Sequence, residues 1–235
     1  MNAVLIIGGA AAVGLGVAVY GALEPNSSIY GPVLSHGPRE KPYLYLTFDD
    51  GPNITATEKI LKILDKYHVP ATFFMVGRNV SLWPSLAREV AAAGYEIGNH
   101  SYQHKKLPLR TSKFILQEIL TTQELISKIT GVRPKFFRAP HGYKNYFVGK
   151  IINQLGYILV GWSFGVWDTA LPGPEAIRER VRKKLRPGAI ILLHDGDGLN
   201  PAGDRRQTAI ALEGIIKDAQ DSGYSFKSLS EIIKT

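Results

Sequence analysis

Cysteine is absent from the 235 residues of this chain. Disulfide bonds and thiolate catalysis are therefore excluded, and a zinc site would have to use histidine and carboxylate ligands. A concentrated basic surface is also missing, although the formal net charge is +8. The densest basic stretch, Arg178–Arg186, is interleaved with Glu179 and Leu185, which is typical of a solvated helix face. We therefore expect no nucleic-acid partner.

Charge is missing from the amino terminus, where Ala3–Leu23 form an uncharged run. As a helix this run would be about 30 Å long, enough to cross a bilayer. A cleaved signal peptide would begin with Lys or Arg, yet no basic side chain precedes Arg39. We therefore interpret residues 1–23 as a membrane anchor that holds the rest of the chain outside the cytoplasm. Cleavage of residues 1–22 would instead give a secreted protein, and a buried core helix is disfavoured because no polar face interrupts the run.

The remaining sequence divides into a linker and one α/β domain. Residues 24–42 contain four prolines and show little hydrophobic periodicity, which predicts a linker. In residues 43–235, short apolar runs alternate with amphipathic segments, which predicts a parallel sheet. An open doubly wound sheet and an incomplete (β/α) barrel with about seven parallel strands both fit this alternation. The predicted strands are Tyr43–Phe48, Ala71–Val76, Tyr95–Gly98, Phe136–Phe137, Ile158–Trp162, Ala189–Leu193 and Ser225–Lys227, and the predicted helices are 55–67, 81–93, 111–130, 145–155, 174–185 and 206–222.

Two adjacent acids, Asp49 and Asp50, directly follow the first predicted strand. Like charges this close raise one pKa unless a cation compensates them. Capping of the next helix is a simpler role for an aspartate, but Asn53, Thr55 and Thr57 lie nearer to that helix. Successive residues leaving a strand point to opposite sides, so we expect the two carboxylates to do different work.

Two histidines, His100 and His104, follow the third predicted strand. The i, i+4 spacing would bring them onto one face of a helical turn, where a single metal ion can bridge them. For an isolated pair, two surface histidines on a loop would be the better interpretation. Because the first strand adds a carboxylate at the same edge, we predict a His/His/Asp site with open positions, typical of catalytic zinc. His36 and His68 are interpreted as structural.

Two further strand ends carry chemically useful side chains. Arg138 follows the fourth predicted strand and could neutralise and orient one of the two acids, although a lone Arg can also form a surface salt bridge. His194 directly follows a buried strand and is placed for proton transfer at the same edge. The alternative interpretation of His194 is a core histidine whose ring is hydrogen-bonded to the backbone.

Four short motifs thus stand in order at strand ends: Thr-Phe-Asp-Asp-Gly-Pro at 47–52, His-Ser-Tyr-Gln-His at 100–104, Arg-Ala-Pro-His-Gly at 138–142 and Leu-Leu-His at 192–194. Together they resemble the motifs of the polysaccharide deacetylase family (NodB homology domain, carbohydrate esterase family 4), over roughly residues 43–232. Each motif alone is weak, whereas four in order are specific. The resemblance implies the incomplete barrel rather than the doubly wound sheet. It also implies a metal-dependent hydrolase that removes N-acetyl groups from N-acetylglucosamine-containing polysaccharide, such as peptidoglycan, a chitin-like polymer or a biofilm glycan.

The resemblance assigns a role to each matching residue. A divalent metal, zinc first and cobalt second, is expected on Asp50, His100 and His104. Asp49 is then expected to act as the general base, oriented by Arg138. The metal would polarise the amide carbonyl and activate water, which are two of the three requirements of amide hydrolysis.

Protonation of the leaving amine, the third requirement, falls to His194 as general acid. Leu192 is expected to line a pocket for the acetyl methyl group. A backbone N–H in the turn formed by Pro140, His141 and Gly142 could donate to the developing oxyanion. Many family members carry tyrosine where this chain has His141, so the substitution adds a titratable group beside the substrate.

A further motif of the family, commonly an Asp-Trp pair, is matched by Asp168 and Trp167 in reversed order. We expect Asp168 to be the partner of His194, and Trp167 to be a wall on which a sugar ring stacks. A Trp beside a strand end is otherwise often core. Trp83 and Trp162 are interpreted in that way.

An acetylated glycan is therefore the expected substrate, with three alternatives. An O-acetyl (xylan-type) esterase would use the same site, because ester and amide hydrolysis share the attack by water. The predicted anchor would also suit deacylation of a lipid-linked sugar. A non-enzymatic carbohydrate-binding protein would have lost the base, the acid or a ligand, and the sequence retains all of them.

Overall fold

The computed structural model describes the backbone of residues 2–234 and the side chains of residues 13–234. The helices in this part of the chain are α1 (Asn2–Leu23), α2 (Thr57–Tyr67), α3 (Gly77–Leu82), α4 (Pro84–Ala92), α5 (Ser112–Thr130), α6 (Tyr146–Gln154), α7 (Pro174–Arg182), α8 (Arg206–Asp221) and α9 (Leu229–Ile232). The strands are β1 (Tyr43–Asp49), β2 (Ala71–Met75), β3 (Glu96–Asn99), β4 (Phe136–Phe137), β5 (Ile158–Leu159), β6 (Phe164–Gly165), β7 (Ala189–His194) and β8 (Ser225–Phe226). Short 3-10 turns are formed by Leu107–Leu109, Pro140–Gly142 and Asp168–Ala170.

The strands form one parallel sheet in the order β5-β4-β3-β2-β1-β7-β6, and β8 pairs with the start of β1. This is the cyclic order of a (β/α) barrel, in which the last strands return to the first. A doubly wound sheet would instead reverse direction in the middle. The paired path is open between β5 and β6, so the prediction of an incomplete barrel is confirmed. The longest pairing joins β1 to β7 from Leu44↔Ala189 to Asp49↔His194.

The alternation of β1 explains how the core and the reactive edge are separated. Leu44, Leu46 and Phe48 pack in the large cluster between the sheet and the helices. Tyr45 belongs to a second cluster, and Thr47 contacts the buried Arg138. Successive residues of a strand face opposite sides, so the second set faces the interior of the barrel. That set leads along the strand to Asp49 at its carboxyl end.

Several predicted boundaries differ from the structure. The predicted helix 81–93 overlaps the end of α3 and the whole of α4. The two helices are separate because Pro84 cannot continue the hydrogen-bonding pattern of the preceding turn and instead begins a new helix. The predicted strand Ile158–Trp162 ends at Leu159. Strand β6 and helix α9 were not predicted, since two and four residues carry too little periodicity to be detected.

The segment predicted as a linker lies in the opening between β5 and β6. Leu34 forms a parallel bridge to Val160, and the carbonyl of Ser35 accepts the hydroxyl of Ser163 at 2.8 Å. Further along the chain, His36 forms an isolated antiparallel β-bridge with Ala189 at the start of β7. The sequence prediction did not anticipate these contacts, because a Pro-rich segment without periodicity gives no sign of where it packs.

The same segment is fixed to the barrel at its first residues. Lys144 is buried, and its Nζ donates to the carbonyl oxygens of Glu24 at 2.7 Å and Pro25 at 2.9 Å. Its backbone N–H donates to the carbonyl of Ala22 in α1. Burial lowers the pKa of Lys144 to about 8, and nearby Glu24 partly opposes this change. The end of α1 is therefore held beside the third sequence motif.

The predicted anchor coincides with α1 along the chain, but the side chains of its first twelve residues lie outside those described. Among the residues that the structure describes, no helix has the length and apolarity needed to cross a membrane.

Candidate active site

The predicted site residues meet around one cavity of about 450 Å³ at the carboxyl ends of the strands. Arg138 and Asp168 lie behind its wall, where they contact residues that line it. Pro140 is buried in the turn that it begins and does not line the cavity. The predicted residues that line the cavity are Asp49, Asp50, His100, His104, His141, Gly142, Trp167, Leu192 and His194.

Asp50, His100 and His104 form the group suited to hold a metal. Their candidate ligand atoms all lie within 4.8 Å of one another. Oδ1 of Asp50 is 3.0 Å from Nε2 of His104 and 3.4 Å from Nε2 of His100. This oxygen is buried and has no hydrogen-bond partner, an arrangement that a divalent cation would complete. Burial alone would raise the pKa of Asp50, but His104 and His100 hold it well below its usual range.

The backbone that presents these ligands differs from the sequence prediction. The prediction of a helical turn at 100–104 is wrong: the segment is irregular, with φ of 63° at Ser101 and 55° at His104. Simple alternation after β1 is also wrong, because Asp50 has a φ of 74°. This left-handed conformation turns its carboxylate back toward the cavity that Asp49 also lines. Such conformations are uncommon outside glycine and concentrate at functional sites.

The two histidines are oriented in different ways. Nδ1 of His100 is 2.7 Å from the carbonyl oxygen of Arg138, and this contact directs Nε2 toward Asp50. The ring of His104 is held by packing, with its centroid 4.6 Å from that of His141. A Cβ added to Gly198 would overlap the His104 ring. The loop after β7 therefore needs glycine where it passes this ligand.

Arg138 ties Asp49 to the barrel interior. The guanidinium is fully buried, and Nη1 donates to Oδ1 of Asp49 at 2.7 Å and to the hydroxyl of Thr47 at 2.8 Å. Nη2 donates to the carbonyl of Gly161 at 2.7 Å. Burial lowers the pKa of Arg138, and the Asp49 carboxylate opposes that change. With Oδ1 engaged, Oδ2 of Asp49 lies 3.6 Å from Nε2 of His100, beside the candidate metal ligands.

His194 and Asp168 form a second buried pair. Nδ1 of His194 lies 2.8 Å from Oδ1 of Asp168. Oδ2 of the same carboxylate accepts the backbone N–H of His194 and the hydroxyl of Thr208. Burial would lower the pKa of His194, but Asp168, with smaller contributions from Asp50 and Asp49, outweighs it and raises the pKa to about 9. The imidazole is therefore protonated at neutral pH and can supply a proton.

The turn Pro140–Gly142 offers one backbone donor to the cavity. Gly142 N–H bonds to Ala139, and Tyr143 N–H bonds to Pro140. Proline has no N–H, which leaves the amide of His141 as the candidate oxyanion donor.

Two tryptophans border the same cavity. Trp167 is 76% exposed, so its ring face is available for stacking. Trp162, interpreted as core, does pack against the cluster that contains Tyr45. It also lines the cavity, where it packs 5.7 Å from the Arg138 guanidinium and lies close to Gly142. Its position just after β5, inside a predicted strand, concealed this location.

Three further polar residues of the site were missed from the sequence. Asn99 accepts the N–H of Ser101 and Glu118 accepts two amides of the histidine loop. Asp195 is buried behind the β1 loop, where burial raises its pKa to about 7. A signal did exist for Glu118: it lies on the apolar stripe of α5, where an acid requires buried hydrogen-bond donors.

An incomplete parallel barrel with an Asp/His/His group, an Asp–Arg pair and a His–Asp pair at its strand ends defines a barrel hydrolase that depends on a metal. The family model for polysaccharide deacetylases matches residues 36–160. The chain belongs to the polysaccharide deacetylase family.

Individual relatives agree with this family. A peptidoglycan-N-acetylglucosamine deacetylase of Bacillus cereus is 36% identical over 214 residues, covering 90% of this chain and 96% of the relative. The structure of the Bc1960 peptidoglycan N-acetylglucosamine deacetylase matches with a TM-score of 0.80 and 31% identity, covering 86% of this chain and 93% of that one. The structure of BA3943 from Bacillus anthracis, described as a pseudoenzyme of carbohydrate esterase family 4, matches with a TM-score of 0.77 and 29% identity. The match covers 85% of this chain and 68% of BA3943.

Proposed function

We propose that this protein hydrolyses the N-acetyl groups of N-acetylglucosamine residues in a polysaccharide, with peptidoglycan as the first candidate. The observation that carries the proposal is the convergence of three metal-ligand side chains, the Asp49–Arg138 pair and the His194–Asp168 pair on one cavity. The fold alone does not carry it, since a pseudoenzyme shares that fold. The names of the similar Bacillus deacetylases support peptidoglycan.

A divalent metal fits the cavity because the buried Asp50 oxygen faces two imidazole nitrogens. Asp50, His100 and His104 would hold it. Zinc is our first choice and cobalt the second, because histidine nitrogen and carboxylate oxygen are their usual ligands. When bound, the metal would supply Lewis-acid polarisation of the amide carbonyl.

The chain's own residues carry the proton transfers. Asp49 accepts a proton from the attacking water through Oδ2, while Arg138 fixes the other oxygen. The water oxygen bonds to the carbonyl carbon, and protonated His194 gives its proton to the amide nitrogen as the C–N bond breaks. Water and amide thereby become acetic acid, which ionises to acetate, and a free amine. The amide of His141 donates to the oxygen that gains negative charge.

The cavity wall accounts for the sugar and the acetyl group. Leu192 is 8% exposed at the cavity wall and offers an apolar contact for the acetyl methyl. Trp167, on the rim, offers its exposed ring to the face of a sugar. Substrates of the family lie outside the cytoplasm, and we place the catalytic domain there.

Acetate release from a panel of glycans tests the proposal. The zinc-loaded protein should release acetate, and generate free amines, from N-acetylated peptidoglycan. His104→Ala protein provides the control for contaminating activity. Release from O-acetylated xylan alone would instead establish an esterase, and release from a lipid-linked N-acetyl sugar alone would establish a lipid-sugar deacylase. Chitooligosaccharides in the same panel distinguish polymer type.

The pH profile tests the role of Asp168. Asp168→Asn should move the alkaline limb of kcat/KM to lower pH by about one to two units, because an opposite charge accounts for shifts of this size. The raised pKa of about 9 keeps His194 protonated below that pH in the unmodified protein, and the acid is lost as pH rises through it. The Asn amide would also face Nδ1 with a donor, which disfavours the imidazolium further.

Thr208→Val is the matched control for this experiment, since it removes one hydrogen bond to Asp168 but keeps its charge. Its alkaline limb should stay within a few tenths of a pH unit of the unmodified protein. An unchanged limb in Asp168→Asn would contradict the assignment of His194 as the acid.

We further propose that residues 1–23 attach the protein to a membrane, on the basis of the uncharged run in the sequence. The full chain should then sediment with membranes, and a chain lacking residues 1–21 should be soluble and active because the contacts from Ala22 onward remain. Removal of residues 1–36 should lower activity, because it removes Asn26. The side chain of Asn26 donates to the carbonyl of Trp162 and accepts the backbone N–H of Trp162. If expression of the full chain instead yields a soluble protein that lacks residues 1–22, the segment is cleaved.

A further inference from the structure

The loop between the two histidine ligands is held in an unfavourable conformation. Ser101 and His104 both have positive φ values, 63° and 55°. Residues other than glycine avoid this region unless neighbouring contacts impose it. The backbone of this loop sets where both histidine rings point, so the contacts that impose the conformation also set the metal site.

One buried side chain supplies the contacts on one side of the loop. Glu118 of α5 is 4% exposed, and its Oε2 accepts the N–H of Tyr102 at 3.1 Å and of Gln103 at 2.8 Å. These two residues lie inside the segment between His100 and His104. A single carboxylate oxygen thus bonds the middle of the loop.

The opposite side of the loop is fixed by backbone donors. The N–H of Gly77 donates to the carbonyl of Ser101 at 2.9 Å, and the N–H of Arg78 donates to that of Tyr102 at 3.0 Å. Both donors lie at the start of α3. The loop is therefore clamped between α3, which binds its carbonyls, and Glu118, which binds its amides.

A carboxylate at this position is costly unless it forms these bonds. Glu118 lies on the buried stripe of α5 with Ile115, Ile119 and Thr122. Burial raises its pKa, and the amides of Gln103 and Tyr102 act in the opposite direction. An apolar residue would pack on this stripe without that cost, so the acid is explained by the loop that it binds.

We propose that Glu118 is a positioning residue of the metal centre: its hydrogen bonds to the amides of Tyr102 and Gln103 hold the loop so that His100 and His104 both face Asp50. Glu118 lies outside the ligand group and does not line the cavity. Its contribution is to arrange the ligands before the metal binds, which raises metal affinity. The inference rests on the proposed metal-dependent function, but it concerns binding rather than hydrolysis.

Two substitutions separate hydrogen-bond geometry from charge. Because both amides donate to the same oxygen, Glu118→Gln can keep that acceptor while losing the charge. Glu118→Asp keeps the charge but is one methylene shorter, so it cannot reach both amides. Glu118→Ala removes both features. Glu124→Ala, an exposed position on the same helix, is the matched control.

The measurement is the zinc affinity of each purified full-length protein, by competition with a chromophoric chelator, with the visible spectrum of the cobalt form as a second readout. Glu118→Asp and Glu118→Ala should bind zinc about 10- to 100-fold more weakly, the usual effect of removing a partner that orients a ligand. Their cobalt spectra should change. Glu118→Gln should stay within about threefold of the unmodified protein, and Glu124→Ala should be unchanged.

Thermal unfolding of each metal-free protein identifies variants that fail to fold. If Glu118→Ala does not fold, the comparison of Glu118→Gln with Glu118→Asp still decides the question. Zinc affinity in folded Glu118→Asp within threefold of the unmodified protein would overturn the inference, as would an equal loss in Glu118→Gln. If the unmodified protein binds zinc but releases no acetate from any glycan, the proposed function fails while the result for Glu118 stands.

Discussion

Dialysis against a chelator is expected to abolish acetate release, and added zinc or cobalt is expected to restore it. The expectation rests on Asp50, His100 and His104, whose candidate ligand atoms converge within 4.8 Å. A hydrogen bond from the His141 amide would polarise the amide carbonyl much less than a bound divalent cation, so the loss should approach the detection limit. Metal analysis before and after dialysis, run in parallel with the assay, relates the loss to occupancy.

Substitution of one ligand should reproduce the effect of the chelator. His104→Ala should bind less than one tenth of the zinc of the unmodified protein at equal free metal, since it leaves two protein ligands. His68→Asn is the matched control, because His68 is an exposed histidine at the end of α2 and lies outside the ligand group. Asparagine also tolerates its left-handed backbone. Full activity after chelation, with no metal detected, would contradict the metal mechanism.

The location of the site was predictable because of the physics of parallel sheets. Four residues with reactive side chains each follow a short apolar run that predicts a strand: Asp49, His100, Arg138 and His194. Because the carboxyl ends of parallel strands share one edge of the sheet, these side chains are expected to meet there. The sequence thereby indicated which residues meet, and the structure places all four around or behind one cavity. The cyclic strand order was predicted only through the family motifs, since alternating strands and helices fit two architectures equally.

The local geometry was less predictable, because it depends on backbone conformations that residue type does not reveal. Asp50 at a φ of 74° brings two adjacent carboxylates into one cavity, whereas an ideal strand would have separated them. His104 at a φ of 55° replaces the expected helical turn. Tertiary contacts accompany both conformations: Asn79 donates to the carbonyl of Asp50, and Glu118 accepts two amides of the histidine loop.

Asp49→Asn is expected to keep the metal and the fold while lowering kcat by about two to four orders of magnitude, the usual contribution of a positioned base. Oδ1 of Asp49 bonds Arg138 at 2.7 Å, so the Asn carbonyl should take that place. Its amide group then replaces Oδ2 beside His100, where it cannot accept a proton. KM should change little, because the proposed substrate contacts, Leu192 and Trp167, are other residues of the cavity.

Stability must be measured alongside rate, because Arg138 is fully buried. Asp49→Asn leaves the guanidinium an acceptor but removes its counter-charge, so we expect the free energy of unfolding to fall by about 1 to 3 kcal/mol. Thr47→Val is the matched control: it removes another acceptor of Arg138 Nη1 and leaves the carboxylate in place. Its kcat should fall less than tenfold.

The comparison of rate with metal content distinguishes a base from a ligand. Oδ2 of Asp49 lies 3.6 Å from Nε2 of His100, near enough to the ligand group for either role. A base predicts that Asp49→Asn retains one zinc per chain and stays slow at saturating metal. A ligand predicts weaker zinc binding and a rate that recovers as zinc is added. Recovery to more than one tenth of the unmodified rate would therefore move Asp49 from proton transfer to metal coordination, and the water's proton would need another acceptor.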